Sequence, residues 1–293
     1  MVFFETPSGR LNVNQVPSAR GSGKAVLCIH GFCCDSGIFG YASQLLASAG
    51  YDVYSLDLPG HGKSAGSRGD LDFERCLQSI DSVVSEIKKK SPEVFIIAHS
   101  MGSTFALWYA HRFRHSVKGL VLLSPYVRIR GIKRSDAEPS PMAFLYLMFG
   151  RLFSPRKHVD IRRVLPGYAR IGGSQYARMA NVVKVNFEYT FRYLIDIVAQ
   201  RNGMLTNLSD VNIPVLMAYG LRDRNVYPQV SEHFFKILKS EDKQILSFDC
   251  NHWFYDAIFF SQSAEYSEGD RQAFLKRIVD WLGGQSEKFE DVR

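Results

Sequence analysis

The stretch "EVFIIAHSMGSTFALWYAHRF", residues 93 to 113, decides how this chain is read. It opens as an apolar, β-branched run of strand length and closes in a helical pattern, so a strand passes directly into a helix at Ser100. A serine in so tight a bend has its Oγ lifted clear of the sheet edge, and the positions two before and two after are crowded. Here they are Ala98 and Gly102, both small. The usual spacing is G-x-S-x-G, and Ala98 departs from it by one methyl group, which such a bend can still hold. The helix behind the serine aims its first backbone N–H groups at any negative charge that develops there.

A serine hydroxyl is a poor nucleophile unless a base takes its proton and an acidic group orients that base. The apolar run "IPVLMAYG" (213–220) leads into "LRDRNV", which places Asp223 just past a strand end. Further on, "KQILSFDCNHW" places His252 in the loop after the last apolar run. Asp249 competes for the acid role because it lies three residues before the histidine. A residue so near in the chain more readily braces its own loop, which favours Asp223. His30, His61 and His99 sit in tight motif segments suited to holding loop backbone groups, and Asp57 suits an anchor of its own loop. His111, His115, His158 and His233 fall in helical or basic surface contexts.

Outward from this centre, short apolar runs alternate with longer helical patterns. Residues 24–31, 51–58, 93–100, 119–125, 213–220 and 243–249 read as strands, most of them apolar on both faces, which is the signature of a mostly parallel sheet. Helices are expected near 38–49, 70–90, 101–113, 228–239 and 268–282, as the crossovers such a sheet needs. The opening "FFETPSGRLNVNQV" reads as a hairpin turned at Ser8 and Gly9. From 126 to 210 no clear strand is visible, only helical segments such as "PMAFLYLMFGRLF" and "NFEYTFRYLIDIVAQR". The expectation is an α/β core of residues 1–125 and 211–293, with 126–210 inserted as a helical cap.

"HGF" (30–32), "DLPGHGKSAG" (57–66), "AHSMGS" (98–103), "GLRDRNV" (220–226) and "CNHW" (250–253) fall in an order and spacing that resemble the α/β-hydrolase superfamily. Within it the chain resembles the monoacylglycerol lipase and lysophospholipase group of serine esterases. The resemblance implies an α/β-hydrolase fold, with Ser100 as nucleophile, Asp223 as acid and His252 as base. It further implies that the backbone N–H groups of Phe32 and Met101 form the oxyanion hole, and that no metal or cofactor is needed. The implied reaction is hydrolysis of a carboxylic ester, a monoacylglycerol or lysophospholipid-like acyl ester, through an acyl-enzyme. A small-ester or thioester hydrolase or acyltransferase is the alternative within the fold. A non-catalytic ligand receptor, whose hallmark would be a broken triad, is the alternative outside enzymes.

Composition narrows the rest. The chain has 293 residues, 46% of them hydrophobic, and a net charge of +7. Lys and Arg number 14 between residues 126 and 210 against 6 Asp and Glu, so this insertion carries +8 and the remainder is close to neutral. A basic rim beside the apolar run Met142 to Phe153 suits contact with an anionic lipid surface or a phospholipid head group. It equally suits a solvated helical cap whose apolar face packs on the sheet. Nucleic-acid binding is not expected, since no recognition motif accompanies the charge. The five cysteines lack the paired spacing of a zinc site or disulfide framework, so free thiols are expected, with Cys33 and Cys34 the pair to watch. No run approaches the roughly 18 apolar residues of a membrane span, and the N-terminus reaches Glu5 before a signal-peptide core forms. A cytoplasmic protein is expected, in peripheral contact with membrane through the cap.

Overall fold

In the computed structural model, residues 1–293 are described except 115, 130, 134, 136, 137, 166–176, 178, 179, 181, 182, 208–210, 257, 259–265 and 291–293, together with the side chains of 201–207, 255 and 287–290. His115 lies outside the described residues, as do Arg130, Arg134, Asp136, Arg170, Arg178 and Asp210, which are among the charges counted between 126 and 210, and the side chain of Arg201.

The apolar runs form one eight-stranded sheet. In chain order its strands are β1 (Val2–Thr6), β2 (Gly9–Val16), β3 (Lys24–Ile29), β4 (Asp52–Leu56), β5 (Glu93–His99), β6 (Gly119–Leu123), β9 (Val215–Gly220) and β10 (Lys243–Phe248). Across the sheet the order is β1-β2-β4-β3-β5-β6-β9-β10. The six strands from β4 to β10 run parallel, whereas β1 and β2 close one edge as an antiparallel hairpin. Thr6 pairs with Gly9, so the hairpin turns at Pro7 and Ser8, one residue earlier than the sequence suggests. The residues of β5, β6 and β9 are buried throughout, which is why their sequences show unbroken apolar runs rather than alternation.

Helices α1 (Gly40–Ser48), α2 (Phe73–Lys88), α3 (Met101–Arg112), α7 (Pro228–Ile237) and α8 (Glu268–Glu290) cover the sheet. α2 shows how such a helix is encoded. Asp72 caps its N-terminus by accepting from the Arg75 N–H at 3.0 Å, and Phe73, Cys76, Leu77, Ile80, Val83, Val84 and Ile87 recur at helical spacing on its buried face.

Between β6 and β9 the chain forms α4 (Pro141–Phe153), β7 (His158–Asp160), α5 (Ile161–Val164), β8 (Glu188–Thr190) and α6 (Phe191–Asn207). β7 and β8 correct the expectation that this interval holds no strand: they pair antiparallel, with Val159 opposite Tyr189. Three residues are too few to show alternation, and the partners lie some thirty residues apart, so the ribbon has no local signature. No helix among the described residues is long and apolar enough to cross a membrane.

Candidate active site

Ser100 sits between β5 and α3 with φ 52° and ψ −118°. A residue with a Cβ is held in that left-handed region at a cost of order 1–3 kcal/mol, and the surroundings supply the restraint. Its N–H donates to the Leu123 carbonyl at 2.8 Å, and its carbonyl accepts from Ser103 at 3.0 Å and Tyr126 at 3.1 Å. The crowding read from the sequence is present. A Cβ on Gly102 would lie 2.3 Å from the Ile29 carbonyl oxygen, and one on Gly31 would lie 3.0 Å from the Ser100 Cβ. The loop that follows β3, carrying Gly31 and Phe32, therefore runs directly against Ser100, and Met101 opens α3 beside it.

The ends of β9 and β10 bring Asp223 and His252 together. Arg222 donates its backbone N–H to Cys250 at 2.9 Å and Leu221 to Phe248 at 2.8 Å. The approach is close enough that a Cβ on Gly220 would stand 2.5 Å from the Cys250 carbonyl. Within this stitched pair of loops, Asp223 Oδ2 lies 2.7 Å from His252 Nδ1. Its Oδ1 accepts the backbone N–H groups of Asn225 at 2.8 Å and Val226 at 2.9 Å. The Asp223 side chain is fully buried and that of His252 nearly so. An ionised carboxylate can only accept, so Nδ1 of His252 is the donor to Asp223 and Nε2 is left as an acceptor. Asp249 points elsewhere: its side chain is 78% exposed and pairs with Arg222 at 2.9 Å.

His99, His30 and His61 hold backbone. His99 Nε2 donates to the His252 carbonyl at 3.0 Å, so the residue before Ser100 anchors the loop that carries His252. His30 accepts from the Leu58 N–H at 3.1 Å and donates from Nδ1 to the Gly31 carbonyl at 2.9 Å. His61 bonds the Pro59 carbonyl at 3.0 Å. Burial, which disfavours the charged ring, pulls His30 below and His99 well below the ordinary histidine range. Burial, reinforced by neighbouring His30, brings His61 down to about 3. These three rings stay neutral at physiological pH. Asp57 anchors its loop, with the Asn12 side chain at 2.8 Å and the Ser36 and Lys63 N–H groups at 2.7 and 2.8 Å. All five cysteines are buried, and none is in a disulfide. Burial pushes the Cys34 thiol well above its usual range, which disfavours the thiolate. Among the described residues no cluster of His, Cys, Asp and Glu is arranged to hold a metal ion.

Several residues that shape the site were not singled out in the sequence. Phe32 packs edge-on against Tyr126, Tyr189 and Tyr193 at centroid distances of 5.6, 5.4 and 5.9 Å, and the Tyr193 hydroxyl reaches the Met101 sulfur. Arg192 forms a two-pronged contact with Asp70, 2.9 Å to each oxygen, which ties the start of α6 to the loop before α2. The only sequence signal was the density of aromatics in "FEYTFRYL", which does not separate these residues from ordinary core.

A family model described as serine aminopeptidase, S33, matches residues 21–252. Among characterised relatives, a caffeoylshikimate esterase of Arabidopsis thaliana is 24% identical over 98% of this chain and 86% of its own. A pimeloyl-[acyl-carrier protein] methyl ester esterase of Neisseria meningitidis is 26% identical over 74% of this chain and 81% of its own. Among solved structures, a monoacylglycerol lipase of Paleococcus ferrophilus superposes with a TM-score of 0.76 at 26% identity, covering 94% of this chain and 99% of that one. The alcohols these names imply differ, and a carboxylic ester is what they share. The eight-stranded, mostly parallel sheet, the strained serine after β5 and the family match converge on one conclusion: the chain belongs to the α/β-hydrolase family of the S33 serine aminopeptidase type and is a serine hydrolase of carboxylic esters.

Proposed function

We propose that the chain hydrolyses a monoacyl lipid, a monoacylglycerol or lysophospholipid-like ester, with Ser100 as nucleophile, His252 as base and Asp223 as acid. His252 Nε2 takes the Ser100 proton as Oγ attacks the ester carbonyl, and the buried Asp223 carboxylate stabilises the imidazolium that forms. The N–H groups of Phe32 and Met101 receive the oxyanion. His252 then returns the proton to the departing alcohol, leaving an acyl-Ser100 ester. Water, deprotonated by the same ring, releases the fatty acid.

The observation that carries the lipid reading is the surface of α4, within the segment 126–210 that we read as a cap. Of its apolar residues only Leu147 is buried, while Met142, Leu152 and Phe153 are 75%, 72% and 72% exposed and Phe144, Leu145, Tyr146, Met148 and Phe149 are exposed as well. So contiguous an apolar face is a liability in water unless it meets lipid or substrate. Beside it a cavity of about 590 Å³ opens, lined by Met142, Tyr146, Lys157, His158 and Arg163 among others. Its walls mix apolar side chains with charges of both signs, Lys157 and Arg163 beside Asp160 and Glu188, which supports an amphiphile.

Hydrolysis of p-nitrophenyl esters and monoacylglycerols of increasing chain length tests this reading. kcat/KM should climb with acyl length to at least eight to ten carbons, each buried methylene adding on the order of 0.8 kcal/mol. A maximum at acetate would assign a small-ester substrate, faster turnover of acyl thioesters would assign that class, and no turnover would leave a ligand receptor.

Membrane contact is a second measurable part of the reading. Arg151 is held by Asp196 at 3.2 Å, so the exposed Arg156 and Lys157 are the cations to change. Wild-type protein should sediment with anionic vesicles at low salt, less with neutral ones, and release as salt rises. Arg156→Gln with Lys157→Gln should weaken binding by roughly thirtyfold, on the basis of about 1 kcal/mol per cation near the surface. Sedimentation indifferent to both salt and substitution would return the cap's charge to ordinary solvation.

A further inference from the structure

The loop that carries Phe32 is held from outside the sheet. Cys33, the next residue, has φ 62°, a conformation disfavoured for any residue with a Cβ. Both of its backbone polar groups are taken by the segment around β8: its N–H donates to the Tyr189 hydroxyl at 2.8 Å, and its carbonyl accepts from the Asn186 N–H at 3.1 Å. Two residues on, the Asp35 carboxylate accepts from the Lys184 N–H at 2.9 Å. Tyr189 is itself fully buried, stacked on Tyr193 with ring centroids 5.2 Å apart and edge-on to Phe32. The segment that presents it is moored at both ends. Thr190 donates its N–H to the Gly69 carbonyl at 3.0 Å, its hydroxyl donates to Asp70 at 2.8 Å, and Arg192 grips the same carboxylate.

From this arrangement we infer that Tyr189 is a positioning residue for the oxyanion hole. Its hydroxyl fixes the Phe32–Cys33 peptide and its ring fixes the Phe32 side chain. Rotation about the Phe32 Cα is thereby blocked, and the Phe32 N–H points in one direction before substrate arrives. Preorganised donors stabilise developing charge because they need no reorientation as the reaction proceeds. The inference rests on the reading above in which the Phe32 N–H receives the oxyanion. It adds that a side chain from the 126–210 segment, not from the sheet, sets that donor's aim.

The test is Tyr189→Phe in the full chain, which removes one oxygen and keeps the ring. kcat on a p-nitrophenyl ester should fall about tenfold or more, less than the 10²–10³ lost with an oxyanion donor itself, while KM stays within about twofold. Affinity for an alkyl trifluoromethyl ketone, which adds to a serine as a tetrahedral oxyanion, should fall by the same factor. Affinity for an alkyl alcohol of equal length, which only occupies the acyl site, should not change. An unchanged kcat, or an equal loss for ketone and alcohol, would overturn the inference by showing that the hydroxyl does nothing or only supports packing.

Ser100→Ala measured alongside separates the two claims. If it binds the ketone as tightly as wild type, the nucleophile reading has failed. If it loses the ketone while Tyr189→Phe keeps it, only the role of Tyr189 has failed. Should Tyr189→Phe not fold, wild-type protein labelled with ¹⁵N-cysteine decides. The Cys33 amide should exchange slowly with solvent and shift when the ketone adds, and an amide exchanging at the rate of an open loop would overturn the inference.

Discussion

Ser100→Ala and His252→Ala are each expected to lower kcat by on the order of 10⁴ or more, and the double variant to be little worse than either, because the side chains act as one unit. The two should differ in stability. The bonds that hold Ser100 in its strained turn, to Leu123, Ser103 and Tyr126, are all made by backbone. Removing its hydroxyl leaves them intact, and the melting temperature should barely move. Removing the His252 ring takes a partner from the fully buried Asp223 carboxylate, which among the described residues keeps the Asn225 and Val226 N–H groups. That variant should lose about 1–3 kcal/mol of stability. Steady-state hydrolysis with thermal unfolding of the same samples checks both statements. Near-wild-type turnover by Ser100→Ala would remove the mechanism.

Asp223→Asn should cost about 10⁴ in kcat as well, by a different route. An asparagine amide can donate to Nδ1, which turns the His252 ring to the tautomer whose Nε2 carries a proton and cannot accept one from Ser100. Asp249→Asn changes a side chain that is 78% exposed and pairs only at the surface with Arg222. Exposed pairs contribute roughly 0–1 kcal/mol, and activity should stay within a few-fold of wild type. Comparing kcat for the two asparagine variants settles the assignment, and the reverse ranking would make Asp249 the acid.

The two competing carboxylates show where a sequence stops being sufficient. Both Asp223 and Asp249 sit in loops after strands, and distance along the chain argued for the first on general grounds only. The Cys250 and Phe248 carbonyls, which accept from Arg222 and Leu221, draw the two loops together and turn Asp223 inward. No local pattern encodes that pairing. The same holds for the interval between β6 and β9. Its helical segments were visible as apolar runs, but β7 and β8 are three residues each and owe their existence to one another. Tyr189 drew no notice because a tyrosine among aromatics reads as core until its hydroxyl is seen on the Cys33 N–H.

What the amino-acid sequence by itself determined was the succession of the main-sheet strands and the helices between them, the strained serine between a buried strand and a helix, and the small residues around it. Those features follow from periodicity, β-branching and the space a Cβ demands, all of which act between near neighbours. Only the tertiary structure decided which carboxylate meets His252, that His99 and His30 hold loop backbone, that α4 turns its apolar side chains outward, and that Tyr189 grips the loop beside Ser100. The contacts among these join residues from 28 to 156 positions apart. Such contacts exist only once the sheet has brought its strand ends together, and they leave no periodic trace in the chain.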